Sequence, residues 1–269
     1  MWYIINNVKE WRFAVEITVN GLKISYTDEG SGEVVLLLHG WGAKKELFTG
    51  VTSVISEKYR AVALDLPGFG DSEEPPFSWD VDGFADFVTA FIVAMGFSRV
   101  ILLGHSFGGR IIIKLCARRN LPFEISRVIL AGSAGVLPKR GLSYKLKVGS
   151  YKFMKKCLSL PPVKKLFPNA LENSRKKKGS ADYAAASPVM RGTLVRAVNE
   201  DLTPIFKDNP YDTLLIWGSA DDATPLSDGK IMESLMSQAG LAEIPGAGHY
   251  SWLDSPALFT AIIRSYLGI

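Results

Sequence analysis

The stretch Arg99–Leu115, RVILLGHSFGGRIIIKL, is the part of the sequence that decides the fold. A short continuous apolar run leads into the glycine-rich segment GHSFGG, and a second apolar run follows at once. Runs without polar alternation are typical of strands buried on both faces, and the residues after the glycines have helical spacing. Ser106 therefore stands on a sharp strand-to-helix turn, either as a nucleophile or as an ordinary hydroxyl in a glycine-rich connection.

The same strand-and-helix pattern recurs along the chain. Before it, residues 12–19 and 22–30 alternate apolar and polar side chains around Asn20-Gly21, which predicts a hairpin. Further apolar runs lie at 34–39, 60–65, 126–132, 212–218 and, more weakly, 241–246. Segments with helical spacing lie at 44–57, 80–96, 107–118, 228–239 and 255–267. We expect an α/β fold with a mostly parallel central sheet of about eight strands and helices on both faces.

The interval 134–208 breaks this alternation. It has proline and glycine punctuation and helical stretches but no strand-like run, which predicts an inserted α-helical cap; residues 1–133 and 209–269 then form the core domain. The interval carries 16 Lys and Arg against 5 Asp and Glu, a net charge of +11 in a chain whose total is +4. Solvated helix faces are the favoured explanation, and peripheral contact with anionic lipid is the alternative.

Composition narrows the class of protein. The 269 residues are 47% hydrophobic, and no run approaches the eighteen or so apolar residues that a membrane helix needs. The first residues lack a basic region and a cleavage site, and the two cysteines form no metal or redox pair, so we expect a cytoplasmic location. The chain has no GxGxxG and no phosphate loop, and we expect no nucleic-acid partner, no metal and no cofactor.

A serine nucleophile needs a base, and the chain has three histidines. His105 adjoins Ser106 and should point away from it, because neighbours on a turn cannot face one oxygen together. His39 ends a buried strand. His249, in the glycine-containing loop IPGAGHYSWLD between the last strand and the last helix, is the remaining candidate for the base.

The imidazole needs a carboxylate that fixes its tautomer. The loop in LLIWGSADDATP offers Asp221 and Asp222, and we favour Asp221 from its spacing to Gly218 and Pro225. Asp222 should then point to solvent. The rival loop after Gly132 has no acid, and the order Ser, Asp, His suits a nucleophile on such a turn.

The oxyanion formed on attack needs two preorganised donors. The backbone N–H of Phe107, next after the serine, is one candidate. The segment His39-Gly40-Trp41-Gly42 follows an early strand and offers the Trp41 N–H as the other. The same segment also suits a tight strand exit with a packed aromatic side chain.

With these motifs together, the chain resembles the α/β-hydrolase superfamily, in its esterase/lipase-like branch with a helical cap (lid). The matching stretches are LLLHGWG (36–42), ALDLPGFGDS (63–72), GHSFGG (104–109), LLIWGSADDATP (214–225) and IPGAGHYSWLDSP (244–256). The resemblance implies a catalytic triad of Ser106, Asp221 and His249. It also implies that DLPGFGDS is a structural loop.

The expected function is that of a serine hydrolase, which cleaves a carboxylic ester of a small or medium-sized substrate through an acyl-enzyme. Two alternatives stay open: a hydrolase-like receptor that binds a small ligand with little turnover, and a carbon–carbon bond hydrolase or perhydrolase with the same triad. Relatives that displace halide or open epoxides use aspartate where this chain has Ser106, so neither activity is expected.

Overall fold

The computed structural model of the chain describes residues 15–137 and 181–269. Eight strands form one sheet in the order β1-β2-β4-β3-β5-β6-β7-β8. The two pairings of β2 are antiparallel and the other five are parallel. The strands are β1 Val15–Val19, β2 Leu22–Gly30, β3 Val34–Leu38, β4 Arg60–Leu64, β5 Arg99–His105, β6 Glu124–Ala131, β7 Thr213–Gly218 and β8 Ala239–Ile244. The predicted α/β fold with a mostly parallel sheet of about eight strands is confirmed.

The first two strands form the predicted hairpin. Val19 pairs with Leu22, so the turn has two central residues. Asn20 and Gly21 have φ of 51° and 80°. Positive φ at both positions gives a turn whose twist matches that of the flanking strands.

Helices cover both faces of the sheet, as predicted. They are α1 Thr49–Ile55, α2 Val81–Ala94, α3 Phe107–Cys116, α4 Ala181–Ala185, α5 Pro188–Asn199, α6 Leu226–Leu235, α7 Ser251–Asp254 and α8 Pro256–Leu267, with 3₁₀ helices at Lys45–Phe48 and Thr203–Asp208. Helices α2, α3 and α6 pack on one face, where Phe87, Ile111 and Met232 share a core. Helices α1 and α8 pack on the other, where Ile55 and Phe259 share a second core.

The boundary between the last helix–strand pair was predicted wrongly. The expected helix 228–239 is Leu226–Leu235, and the expected strand 241–246 is Ala239–Ile244. Because β8 is an edge strand and most of its residues are partly exposed, it lacks the continuous apolar run of the inner strands. The helix begins directly after Pro225, whose φ of −57° suits a helix start.

The described part of the predicted cap is helical and lies on the core. Helix α5 buries Met190, Leu194 and Ala197. Two hydrogen bonds attach this helix to the segment before α2: Ser78 Oγ donates to the Val189 carbonyl at 2.7 Å, and Thr193 Oγ1 accepts from the Trp79 N–H at 3.1 Å. Most of the basic residues predicted for the cap lie in 138–180, outside the described residues.

The topology brings the candidate residues to one edge. Parallel strands end at the same edge of a sheet, and there the loops that follow β3, β5, β7 and β8 meet. These four loops carry Trp41, Ser106, Asp221 and His249 respectively. Among the described residues, no helix is both long and apolar enough to cross a membrane.

Candidate active site

Ser106 occupies a backbone conformation that favours glycine. Its φ is 49° and its ψ is −106°, between the end of β5 and the start of α3. Residues other than glycine rarely adopt this conformation, which is that of the first central residue of a type II′ turn. The turn lifts the half-buried serine out of the strand and places it at the positive end of the α3 dipole.

The glycines around Ser106 allow this turn to pack. A Cβ on Gly104 would lie 2.7 Å from Ile112 Cδ1 and 2.8 Å from the Gly108 carbonyl carbon. A Cβ on Gly108 would overlap the Leu38 carbonyl. The strand and helix therefore approach closely only because both positions lack a side chain.

Asp221 and His249 form a hydrogen-bonded pair. Asp221 Oδ2 lies 2.9 Å from His249 Nδ1. The carboxylate is fully buried, whereas the imidazole keeps 15% of its side-chain surface exposed. This arrangement fixes the tautomer with Nδ1–H and leaves Nε2 as a base. Asp222, in contrast, is exposed.

Thr224 and its neighbour hold the Asp221 carboxylate in place. Oδ1 accepts hydrogen bonds from the N–H groups of Ala223 and Thr224, both at 2.9 Å, and Oδ2 lies 2.9 Å from Thr224 Oγ1. Burial by itself raises the pKa of Asp221, but the hydrogen bonds from His249 and Thr224 outweigh it and lower the pKa. The carboxylate therefore stays ionised beside the imidazole.

His105, the residue before Ser106, contacts the Asp221–His249 pair. The His105 Nε2 atom is 3.1 Å from the carbonyl oxygen of His249. Among the described residues, Ser106 Oγ and His249 Nε2 do not form a hydrogen bond, and His249 instead contacts Asp221 and His105. Catalytic hydrogen bonds of this kind are commonly long before substrate binds and tighten in the reacting complex.

His39 orients the candidate oxyanion loop. Its fully buried ring donates from Nδ1 to the Gly40 carbonyl at 2.8 Å and accepts at Nε2 from the Leu66 N–H at 3.0 Å. Burial lowers the pKa of His39 and keeps it neutral, as these two bonds require. In a trans peptide the C=O and N–H point in opposite directions, so fixing the Gly40 carbonyl also fixes the Trp41 N–H.

Both candidate oxyanion donors are free. In the described part of the chain, neither the Trp41 N–H nor the Phe107 N–H has a hydrogen-bond acceptor. Phe107 is the first residue of α3, where an N–H has no partner within the helix. The Gly40 backbone lies close to Ser106, since a Cβ added to Gly40 would lie 3.2 Å from Ser106 Cβ. Two free donors beside a serine are suited to stabilise developing negative charge.

A buried ion pair between Lys45 and Asp65 stabilises the chain just after the segment 39–42. Lys45 Nζ lies 2.7 Å from Asp65 Oδ2 and 3.0 Å from Asp71 Oδ2, and Asp65 Oδ1 accepts from the Lys45 N–H at 2.7 Å. Burial by itself lowers the pKa of Lys45, but the hydrogen bonds that its ammonium donates to Asp65, Glu46 and Asp71 raise the pKa well above its ordinary value. The pair therefore ties the segment after Trp41 to the loop DLPGFGDS.

Aromatic side chains line the same region. The Trp41 ring meets Phe69 at 4.9 Å and Phe107 at 5.3 Å, both edge to face, and Phe107 meets Phe84 at 5.1 Å. Trp41 is half-buried, while the three phenylalanines are buried. Such a cluster gives a rigid apolar wall next to both donor groups.

Sequence reasoning missed three supporting residues. The segment that contains Thr224 has a local signal, because a loop aspartate commonly accepts hydrogen bonds from backbone N–H groups that follow it closely. The roles of His39 and Lys45 have no local signal, since their partners Leu66 and Asp65 are 27 and 20 residues away. Within residues 15–137 and 181–269, no group of three or more His, Cys, Asp or Glu could hold a metal ion.

The family follows from a comparison with known proteins. Residues 35–262 match the model of a family described as the alpha/beta hydrolase family. The chain belongs to the alpha/beta hydrolase family. This match spans six of the eight strands, β3 in part and β4 to β8 in full, and all the candidate site residues.

Relatives within the alpha/beta hydrolase family have different activities. Haloalkane dehalogenase 2 of Mycobacterium tuberculosis is 26% identical over 91% of this chain and 92% of its own length. A 2-hydroxymuconate semialdehyde hydrolase of a Pseudomonas species is 25% identical over 94% and 93%. The solved structure of an esterase from Exiguobacterium antarcticum is 27% identical, has a TM-score of 0.73 and covers 96% of this hydrolase and 100% of its own chain.

Proposed function

We propose that this chain is a serine hydrolase that cleaves a carboxylic ester of a small or medium-sized substrate through an acyl-enzyme. The observation that carries the proposal is the strained backbone of Ser106 at the sheet edge that also holds the Asp221–His249 pair. A protein keeps a non-glycine residue in such a conformation at a cost of about 1–3 kcal/mol, and such strain clusters at active sites.

The chemistry follows from the geometry. Ser106 Oγ attacks the ester carbonyl while His249 Nε2 takes its proton, and Asp221 stabilises the imidazolium that forms. The N–H groups of Trp41 and Phe107 bind the oxyanion. The C–O bond to the alcohol breaks as His249 returns the proton to the leaving oxygen. Water then attacks the acyl-enzyme with His249 as base, which releases the acid and restores the serine.

The nucleophile argues against halide displacement despite the dehalogenase relative. An alkyl group transferred to a carboxylate forms an ester, which water can cleave at the carbonyl carbon. The same group transferred to Ser106 would form an ether, which has no carbonyl and would block the enzyme. A serine at this position therefore suits acyl transfer and not alkyl transfer.

A carbon–carbon bond hydrolase is the second candidate. It is supported by the 2-hydroxymuconate semialdehyde hydrolase relative, which matches nearly the full length of this chain. Perhydrolysis would use the same groups with peroxide in place of water. A receptor with little turnover is disfavoured because ligand binding alone does not need the Asp221–His249 hydrogen bond or the two free N–H groups of Trp41 and Phe107.

Hydrolysis of p-nitrophenyl esters with acyl chains of two to sixteen carbons tests the proposal. We expect turnover with a preference within the short and medium chains, and an initial burst of p-nitrophenol from acyl-enzyme formation. Ser106→Ala should abolish both, while Asp222→Asn, at an exposed neighbour of the site, serves as the matched control. No turnover by a folded wild-type protein, or turnover that survives Ser106→Ala, would refute the proposal.

Three surrounding expectations remain proposals. We propose that residues 134–208 form a cap over the core, that its net charge of +11 belongs to solvated helix faces, with peripheral contact with anionic lipid as the alternative, and that the protein acts in the cytoplasm. Sedimentation with vesicles of phosphatidylglycerol, compared with phosphatidylcholine, tests the lipid contact. Binding that is equal for both kinds of vesicle, or absent from both, would contradict the lipid contact. Fractionation of cells tests the cytoplasmic location.

A further inference from the structure

His105 contacts the candidate catalytic base directly, although sequence reasoning made it a bystander. The side chain is only 1% exposed. Its Nε2 atom lies 3.1 Å from the carbonyl oxygen of His249, a residue 144 positions further along the chain. The residue beside the nucleophile is therefore bonded to the main chain of the base.

The tautomer of His105 follows from its surroundings. A carbonyl oxygen can only accept, so Nε2 must carry the proton. Nδ1 is buried and has no hydrogen-bond partner within the described residues. It faces Gly40, where an added Cβ would lie 2.8 Å away. His105 is thus a donor at one end and a tightly packed, unprotonated nitrogen at the other.

His105 also stays uncharged at working pH. Burial, followed by the nearby His249, lowers the pKa of His105 to about 3. The other titratable groups that face it are Asp221, which acts in the opposite direction, and His39, which acts in the same direction. A neutral ring can donate from Nε2 without placing a second positive charge beside the imidazolium that forms during catalysis.

The ring is enclosed by aromatic neighbours. Its centroid lies 4.5 Å from that of His249, 4.6 Å from that of Trp252 and 5.0 Å from that of Tyr250. Trp252 meets it edge to face at 81°, which leaves His105 little freedom to rotate. One fixed ring therefore supports the His249 imidazole and bonds the His249 carbonyl.

We propose that His105 is a positioning residue, which acts through His249 by holding its main-chain carbonyl and packing against its ring so that Nε2 of His249 stays in line with Ser106. The inference rests on the proposed function, because it gives His249 the role of the base. The loop that carries His249 contains Gly246 and Gly248, and its other anchors before His249 are at Gly246, Ala247 and Gly248. Within residues 15–137 and 181–269, the bond from His105 is the one that reaches the main chain of His249 itself.

The size of the effect follows from the geometry of proton transfer. A misplacement of a reacting group by about 1 Å can reduce the rate by up to about a hundredfold. Loss of the bond would leave the His249 loop attached through its other anchors, so substrate binding would change little. We therefore expect a lower kcat with a nearly constant KM.

The test compares His105→Phe, which keeps a flat ring but cannot donate, with His105→Gln, whose amide nitrogen reaches about as far as Nε2. We expect His105→Phe to lower kcat by about 10–100-fold with KM within about threefold. His105→Gln should recover most of that loss. Tyr59→Phe is the matched control, because it removes a buried hydrogen bond of 2.7 Å to the Leu267 carbonyl just before the start of β4, on the sheet edge opposite the site. It should lower stability and leave kcat unchanged.

The outcomes separate the two proposals. If kcat is unchanged in His105→Phe, or falls equally in both His105 variants, the positioning role is refuted. A wild type that hydrolyses no ester refutes the proposed function, and the rate at which a fluorophosphonate labels Ser106 then replaces kcat in the same comparison. If the wild type also fails to label, both proposals fail. Heteronuclear NMR of the His105 ring provides an independent readout, since protonation at Nδ1 instead of Nε2 would contradict the inference even in an active enzyme.

Discussion

Replacing Ser106 by glycine should stabilise the protein relative to Ser106→Ala, although both changes remove the hydroxyl. At φ 49° and ψ −106°, any residue with a Cβ is strained by about 1–3 kcal/mol, and glycine is not. Glycine loses more chain entropy on folding, at a cost of about 0.5–1 kcal/mol. The balance is about 0–2.5 kcal/mol in favour of Ser106→Gly, and its middle value of about 1 kcal/mol in the free energy of unfolding corresponds to roughly 2–4 °C in Tm.

Urea unfolding of the two variants measures this difference, provided that the m values agree. The matched control is the same pair of substitutions at Ser53, which is exposed in the interior of α1. There the helical backbone suits alanine, and glycine should be less stable by about 1 kcal/mol. If Ser106→Gly is no more stable than Ser106→Ala, or if both sites respond alike, the strain assigned to the turn is refuted.

The remaining predictions concern the residues around His249, the proposed base. Asp221→Asn should lower kcat by about 10⁴-fold, because His249 would lose its correct tautomer, and Asp222→Asn should lower it by less than about threefold. Ester hydrolysis measures both, and a larger loss in Asp222→Asn would overturn the assignment of Asp221. Thr224→Val should lower kcat by about 10–100-fold, because a hydrogen bond to a charged carboxylate contributes about 1.5–3 kcal/mol, and an unchanged kcat would contradict its role. The pKa of His105 is lowered from 6.5 to about 3, so the unfolded chain binds a proton first as pH falls and stability is lost between these values. At pH 4.5 the contribution of His105 to this loss is about 2–3 kcal/mol, so between pH 7 and 4.5 urea unfolding should show a loss in His105→Phe that is smaller than that of the wild type by this amount.

Much of the fold could be predicted because burial leaves a clear mark on the sequence. The inner strands lie between helices on both faces, so each reads as a continuous apolar run such as VVLLL in β3. The hairpin was visible in the alternation of β1 and β2 and in the Asn20-Gly21 dipeptide, whose positive φ values the turn needs. The edge strand β8 has no such pattern, and its bounds were displaced for that reason.

The candidate site was predictable where chemistry limits the choice. A serine on a tight turn, one histidine left after elimination and one acid-bearing loop pointed to three residues that the fold brings to one edge. The supporting contacts were not predictable in the same way. His105 meets His249 only because β5 and the loop after β8 end at the same edge, and nothing in the local sequence of either segment indicates that contact.

Reaction with a fluorophosphonate, followed by mass measurement of the intact protein and of its peptides, tests the central claim most directly. This reagent phosphonylates a serine only when a base and an oxyanion site activate it. We predict one adduct per chain, located on Ser106, that is absent from Ser106→Ala and strongly reduced in His249→Ala. A folded wild-type protein that forms no adduct, or an adduct on another residue, would contradict the account.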